Sequence, residues 1–361
     1  MVSLWMLVTF ARERKTMKNV VFRNRRYMSP LELLPKQSFD NIHTVGIPRA
    51  LLYYRYHVLW QTFFESLGCT VVVSDPSDRA MLERGEALSI DECCLASKLY
   101  MGHVESLLDS CDALFVPSID NLGLHKGFCT KFQALPDLVA NTFPSKKIRI
   151  ISCEIDKEDT GVSAEEAYVS IATQFGLSKK QGKALYQSAC HAQKKHDEQQ
   201  SQEQSKALKH AEKLPAEQRP LRILLAAHPY VIHDPYIGGP IVSMLEDLEV
   251  CTLFSDRFDR KLALEKSYDF SETMPWIVNR EIIGTLLSLY DHLDGLILVS
   301  AFPCGPDSMT NDALIRCIKG KPILSLTVDA QSGTAGLETR IESFIDILRY
   351  QKRGGYLSDE R

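Results

Sequence analysis

The sequence lacks the features that would direct it to a membrane or to nucleic acid. It has no run of about 18 uninterrupted apolar residues, so it contains no obvious membrane-spanning helix. The apolar start, residues 1–10, is followed rather than preceded by basic residues, which is the wrong order for a signal peptide. The formal net charge is only −4, so no strong field indicates an acidic partner. We expect a cytoplasmic protein with neither a nucleic-acid nor a membrane partner.

Two short motifs are also missing. None of the ten cysteines forms a Cys-x-x-Cys pair, which argues against a zinc ribbon or a bacterial ferredoxin. There is no GxxxxGK[ST] loop, because residues 238–240 (GGP) indicate a turn, so we expect no ATP hydrolysis by this chain. Ten cysteines in a reducing compartment favour metal binding or catalysis over disulfides, although most can be ordinary buried thiols.

An internal repeat indicates two similar lobes. SDPSDR at residues 74–79 reappears as SDRFDR at 255–260, which is 181 residues further on, and each copy follows an apolar run. Pro48 and Pro229 are separated by the same 181 residues. DALFV at 112–116 resembles DGLIL at 294–298, which lies 182 residues further on. The repeat therefore predicts the same order of strands in both halves.

Short Val-, Ile- and Leu-rich runs alternate with helix-length segments, which predicts parallel sheets covered on both faces. The fold class is thus α/β, with two Rossmann-like lobes joined by a polar helical segment. The predicted strands are 43–47, 70–75, 112–117, 147–152, 222–227, 249–254, 294–300 and 322–328. The predicted domains are an N-terminal extension (1–40), a first lobe (41–176), a helical connector (177–220) and a second lobe ending in a C-terminal helix (221–361).

Three cysteine-containing segments are candidates for chemistry. Cys304 follows the strand DGLILVS and precedes a helix, where Pro306 suits the first turn. Backbone amides and the helix dipole at such a point favour a thiolate. Cys129 ends a loop of about a dozen residues, and loops of that length are often functional. Cys94 lies near the start of another predicted helix.

Together the three cysteines predict one site at the carboxyl edges of two similar sheets. Thiolate-rich sites select zinc or iron–sulfur chemistry. Spacing alone does not choose between these two, nor does it exclude three unrelated buried cysteines.

The segments resemble the 2-hydroxyacyl-CoA dehydratase superfamily (2-hydroxyglutaryl-CoA dehydratase D-component-like), and most closely its proteins related to the acyl-CoA dehydratase activase. The resemblance runs from residue 44 to 345. The similar stretches are GIPRALLYYRYHVLWQTFFESLG, SIDECCLASKLYMGHV, FVPSID, FCTKFQALPD, HPYVIHDPY, CGPDS and TAGLETRIESF.

This resemblance implies an oxygen-sensitive 4Fe-4S cluster between the lobes, held by three cysteines with one iron left open. By motif the ligands are Cys94, Cys129 and Cys304, with Cys93 as the ambiguous neighbour of the first. A double-cubane cluster, as in a related branch, would need more ligands.

The resemblance also implies partners and an activity. It implies an ATP-dependent activator protein with its own iron–sulfur cluster, a homologous subunit or a second copy of the chain, and a CoA ester or other small-molecule substrate. The activity would be that of a 2-hydroxyacyl-CoA dehydratase-like lyase or a cluster-dependent reductase in an anaerobic setting. A non-enzymatic electron-transfer or accessory protein is the alternative.

Six further residues are candidates for supporting roles, each with a structural alternative. Lys98 and Lys131 could tune the cluster or lie on a solvated surface. Glu92, Asp307 and Ser308 could transfer protons or cap helices. Arg49 could bind a CoA phosphate or form a structural ion pair.

Overall fold

The first lobe alternates strands with helices from Thr44 onward. The structure is a computed structural model and describes residues 38–39, 41–144, 149–331 and 334–352. The elements of the first lobe are β1 (Thr44–Ile47), α1 (Tyr53–Ser66), β2 (Thr70–Val73), α2 (Arg79–Ala87), α3 (Leu95–Leu107), β3 (Ala113–Phe115), β4 (Ser118–Asn121), α4 (Thr130–Thr142), β5 (Ile150–Ile151), β6 (Glu154–Asp156) and α5 (Ala164–Gln174).

A long helix, α6 (Lys179–Lys213), leads to the second lobe. The elements of the second lobe are β7 (Arg222–Ala226), α7 (Pro229–Ile232), α8 (Gly239–Asp247), β8 (Cys251–Phe254), α9 (Arg260–Ser267), α10 (Ile277–Leu289), β9 (Gly295–Ala301), α11 (Gly305–Cys317), β10 (Ile323–Val328) and α12 (Thr334–Lys352). Among the described residues, no helix is both long enough and apolar enough to cross a membrane.

Both main sheets are parallel, have four strands and share one strand order. The first runs β2-β1-β3-β5 and the second β8-β7-β9-β10, so each strand has a counterpart in the other lobe. Helices cover the sheets, and the strand β9 is buried along its whole length, as expected for a strand covered on both faces. The predicted α/β class with two Rossmann-like lobes is confirmed.

The repeated sequence has a structural explanation in the loops at the sheet edge. Ser74 and Ser255 are both buried, and each hydroxyl accepts a backbone amide from the loop after the central strand, at 2.8 and 3.3 Å. Asp78 and Asp259 are the N-caps of α2 and α9, and each carboxylate accepts an amide three residues on. The repeat therefore encodes the same loop and the same helix start twice.

Each lobe also contains a pair of closely packed helices. A Cβ atom at Gly102 of α3 would lie 2.1 Å from the Met81 carbonyl oxygen of α2. A Cβ atom at Gly284 of α10 would lie 1.7 Å from the Ala263 carbonyl oxygen of α9. Only glycine permits this approach, so a glycine-mediated close contact between two helices occurs in both lobes.

The polar connector is helical and belongs to neither sheet. In α6, Gln193 accepts the Leu59 amide of the first lobe at 3.0 Å. Eleven residues on, Gln204 accepts the Phe254 amide of the second lobe at 2.7 Å. The helix thus contacts both lobes, and these contacts help to hold a polar segment of the chain in place.

Three details differ from the predictions or fall outside the description. A small parallel sheet of β4 and β6 was not predicted, because both strands are short and half polar. Of the extension 1–40, only residues 38 and 39 are described, and residues 353–361 are not described. The strand predicted at 147–152 is described from residue 149 and forms β5.

Candidate functional site

A pocket lies between the lobes, beyond the carboxyl ends of the central strands. It is partly open to solvent, and the space between its walls, open solvent included, measures about 680 Å³. Leu51 of the loop after β1 lines it with a positive φ of 51°, a strained conformation for leucine. Strain of this kind is often found at functional sites.

The structure brings Cys94, Cys129 and Cys304 together on the wall of this pocket. Each is the N-cap of a 13-residue helix, α3, α4 and α11 respectively, and each has an extended backbone. None of the three sulfurs makes a capping hydrogen bond. Cys93 does not line the pocket, which favours Cys94 as the member of that pair that faces it.

Backbone hydrogen bonds between the lobes hold these segments in place. The Leu95 amide donates to the Phe302 carbonyl at 2.9 Å, which joins the start of α3 to the loop before α11. The Gly127 amide donates to the Pro275 carbonyl, and the Ile277 amide donates to the Gly127 carbonyl, both at 2.9 Å. The loop before α4 is thereby joined to the start of α10.

Four helix N-termini consequently meet at the pocket, because Trp276, the N-cap of α10, lines it as well. Each N-terminus carries partial positive charge from its free amides and the helix dipole. The arrangement suits an anionic group and, in particular, thiolates.

In the absence of a bound cation, burial favours the protonated thiol at two of the three cysteines, Cys94 and Cys304. Burial raises the pKa of Cys94, and the nearby Lys131 ammonium and Ser97 amide offset only part of that effect. Burial and the Asp307 carboxylate raise the pKa of Cys304 well above its ordinary value. A metal that binds here must therefore displace protons, so its affinity should fall at low pH.

A buried polar network lies beside Cys304. The Asn279 Nδ2 donates to Asp307 Oδ1 at 3.1 Å, so its Oδ1 is free to accept from His228 Nε2 at 3.3 Å. Asp307 Oδ2 lies 3.2 Å from His228 Nδ1, and both side chains are almost fully buried. Although burial disfavours the charged imidazole, Asp307 raises the pKa of His228 above its ordinary value. One ligand atom each of His228, Cys304 and Asp307 lies within 4.8 Å of the other two.

Tyr230 occupies a central place in the pocket. Its hydroxyl lies 3.0 Å from His228 Nδ1, and its ring stacks on that imidazole with centroids 4.9 Å apart. All three pocket cysteines are close enough to influence it electrostatically. Burial raises the pKa of Tyr230 well above its ordinary value, so the hydroxyl stays neutral and can donate a hydrogen bond.

The other predicted residues take different positions. Glu92 and Lys131 line the pocket, and Asp307 is buried beside it in the network with His228. Ser308 is exposed and donates to the Cys304 carbonyl at 2.7 Å, a helical backbone contact.

Lys98 and Arg49 are not among the residues that line the pocket. The Arg49 guanidinium lies 5.9 Å from the centre of the Tyr53 ring. The roles predicted for these two residues stay predictions.

Sequence reasoning did not single out His228, Tyr230, Trp276 or Asn279. The sequence does contain a signal for His228 and Tyr230. They belong to the motif HPY, which follows β7, just as Cys304 follows β9 at the same carboxyl edge of the sheet. No comparable signal marks Trp276 and Asn279, because they approach the pocket only through the packing of α10.

The model of the family described as "CoA enzyme activase uncharacterised domain" matches residues 44–258, more than half of the chain. The match includes Cys94, Cys129 and His228 and ends before Cys304. No curated protein matches the chain significantly.

Two solved structures show weak similarity. A periplasmic metal binding protein from Candidatus Liberibacter asiaticus is 13% identical, over 84% of this chain and 99% of that chain, with a TM-score of 0.21. Glucosamine-6-phosphate deaminase from Thermotoga maritima is 11% identical, over 91% of this chain and 90% of that chain, with a TM-score of 0.19. Similarities at these scores carry no argument.

Proposed function

The chain belongs to the family described as the CoA enzyme activase uncharacterised domain, and on that basis we propose that it is an iron–sulfur protein of the 2-hydroxyacyl-CoA dehydratase type. Cys94, Cys129 and Cys304 would hold one 4Fe-4S cluster with an open iron. The substrate would be a CoA thioester or another small molecule.

The observation that carries this proposal is the convergence of three N-cap cysteines from both lobes on one partly open pocket. Three thiolates beside several helix N-termini suit an anionic, sulfur-rich group. Structural zinc usually has four protein ligands. The nearest imidazole, His228, has both ring nitrogens engaged by neighbouring polar groups, which supports three protein ligands rather than four. A double-cubane cluster would need further cysteines.

When bound, the cluster would supply one-electron chemistry. The chain's own residues would bind and orient the substrate beside it. Lys131 lines the pocket as a cation and can pair with an anionic oxygen of the substrate. The Tyr230 hydroxyl can donate a hydrogen bond to that substrate, and the His228–Asp307 pair can hold a proton next to it. Glu92 lies at the exposed side, where it can exchange protons with solvent.

We propose that the electron comes from a separate ATP-dependent activator protein with its own cluster, since the sequence has no phosphate-binding glycine loop. A second copy or a homologous subunit would complete the enzyme. The alternative function, an accessory electron carrier, would need no substrate pocket. The pocket beside the cysteines is open on one side, which would give a substrate access to the cluster and supports the enzyme.

The first test is metal content after anaerobic purification and reconstitution with iron and sulfide. The wild type should hold about four irons and four sulfides per chain, with an iron–sulfur absorption band and, after reduction, an EPR signal. Serine at Cys94, Cys129 or Cys304 should abolish most of this content. Serine at Cys93 or at the exposed Cys317 should leave it unchanged.

Three results would contradict the proposal. The first is stoichiometric zinc in place of iron. The second is iron retained after loss of Cys304. The third is loss of iron on replacing Cys93 but not Cys94. If a cluster is present, turnover of a 2-hydroxyacyl-CoA with an activator and ATP would identify the lyase. Cluster reduction without turnover of any tested thioester would indicate the electron carrier.

A further inference from the structure

Four helix N-caps meet at the pocket, and the internal repeat of the chain relates them as two pairs. Cys94 begins α3 and Trp276 begins α10, 182 residues later, and both helices have 13 residues. The glycines that pack against the preceding helix, Gly102 and Gly284, are separated by the same 182 residues. Trp276 is therefore the counterpart of Cys94 in the second lobe.

The other pair is Cys129 and Cys304. Each caps a 13-residue helix that follows the third strand of its sheet in chain order, β3 with its short extension β4 in the first lobe and β9 in the second. A fully symmetric pocket would thus present four thiols, two from each lobe. This chain presents three, and Trp276 stands at the fourth position.

The backbone at Trp276 is held as firmly as that at Cys94. The residues on either side of Trp276 are hydrogen-bonded to Gly127, both at 2.9 Å, and the residue after Cys94 is hydrogen-bonded to Phe302 at the same distance. Both N-caps have extended backbones and line the pocket. The difference between the two positions therefore lies in the side chain, and an indole is not a ligand for iron.

We propose that Trp276 occupies the fourth ligand position of the site and is the reason that one iron lacks a protein ligand. The inference rests on the proposed function. It also places the substrate, since the vacant position then lies on the side of α10, where Trp276, Val278 and Asn279 line the pocket. The substrate remains the CoA thioester or other small molecule of the proposed function, and it would meet the indole beside the start of α10.

The test is to supply the missing thiol. A cubane cluster with three cysteine ligands loses its unligated iron on mild oxidation and gives the EPR signal of a three-iron cluster, whereas a fourth thiolate prevents this loss. The wild type and the matched control Trp276→Ser should both give that signal. Trp276→Cys should suppress it at least tenfold, with iron and sulfide content equal to that of the wild type.

A rescue experiment tests the symmetry directly. Cys94→Ser should lose the cluster, and Cys94→Ser/Trp276→Cys should regain it, because three of the four symmetric positions again carry thiols. Cys94→Ser/Trp276→Ser is the control and should stay empty. Iron and sulfide per chain are the readout, so no enzyme activity is required.

The outcomes separate the two proposals. If the wild type binds no cluster, the proposed function fails and this inference falls with it. If the wild type binds one, but Trp276→Cys oxidises like Trp276→Ser and the double variant stays empty, only the Trp276 inference is overturned. Should Trp276→Cys fail to fold by circular dichroism, Trp276→His supplies a ligand on a ring. It should likewise protect the fourth iron, and its failure to do so would refute the assignment.

Discussion

Removing one partner of the buried ion pair between the lobes should be costly. Arg55 of α1 and Glu281 of α10 form a bidentate pair, in which Arg55 Nη2 lies 2.7 Å from Glu281 Oε1 and Nη1 contacts Oε2. The side chains are only 5% and 7% exposed. Arg55 Nε also donates to the Tyr56 hydroxyl at 2.9 Å.

The magnitude follows from what a single substitution leaves behind. Although burial opposes the charge, Glu281 and Tyr56 hold the pKa of Arg55 well above its ordinary value, so the guanidinium does not escape by losing a proton. Glu281→Gln keeps the shape and removes the charge. It leaves a buried cation with only neutral partners, and we expect a loss of about 3–5 kcal/mol in the free energy of unfolding.

Replacing both partners should cost much less than replacing one. In Arg55→Met/Glu281→Leu no charge remains buried, and such double replacements are often neutral or stabilising. Urea unfolding of the metal-free protein, followed by circular dichroism, measures the cycle of wild type, Arg55→Met, Glu281→Leu and the double variant, with Glu281→Gln measured beside it. Asp312→Asn breaks the exposed Arg316–Asp312 pair and should leave stability nearly unchanged.

Two results would refute this reasoning. A loss below about 1 kcal/mol for Glu281→Gln would mean that water reaches the guanidinium. A double variant as unstable as the single one would mean that shape, and not unpaired charge, sets the cost.

Three further predictions follow from other parts of the fold. Gly284→Ala should lower the free energy of unfolding by about 1–3 kcal/mol, because its Cβ would lie 1.7 Å from the Ala263 carbonyl oxygen. The control Gly336→Ala lies in open space on α12 and should be neutral or slightly stabilising. Equal urea midpoints for the two variants would contradict this prediction. Burial lowers the pKa of His103 to about 4 from an ordinary 6.5, so its contribution to stability is present above pH 6.5 and is lost as the pH falls toward 4, by at most about 1.4 kcal/mol per pH unit. The stability difference between the wild type and His103→Gln should shrink over that range, and a constant difference would show that the pKa of His103 is the same in the folded and the unfolded protein. Cys190→Ser should leave the iron content of the reconstituted protein unchanged, and loss of iron would mean that the site is misplaced.

The sequence determined the fold class because its signals are local. Apolar runs of four to seven residues separated by helix-length segments specify parallel strands with crossover helices, and these are the strands that form, as in β7 and β9. The polar connector was predictable for the same reason, since its composition, rich in Lys, Glu and Gln with one glycine and no proline within α6, favours a helix. The short strands β4 and β6 were not, because residues such as Asp120 and Glu154 give them no apolar signal.

The candidate site was predictable only in part. Cys304 could be placed because a strand and a helix adjoin it in sequence, and Cys94 and Cys129 because they lie near predicted element ends. Which of Cys93 and Cys94 faces the pocket depends on the phase of the first turn of α3, and the sequence pattern left it open.

By itself, then, the sequence determined two α/β lobes and a set of cysteines at the ends of strands and the starts of helices. Only the tertiary structure decided what surrounds those cysteines. His228, Tyr230 and Trp276 reach the pocket through contacts between the lobes, such as the Gly127–Ile277 hydrogen bond, whose partners are distant in the chain. A local sequence pattern reflects interactions between residues that are close in the chain. A pocket between lobes depends instead on packing between residues far apart in the chain, which no single segment encodes.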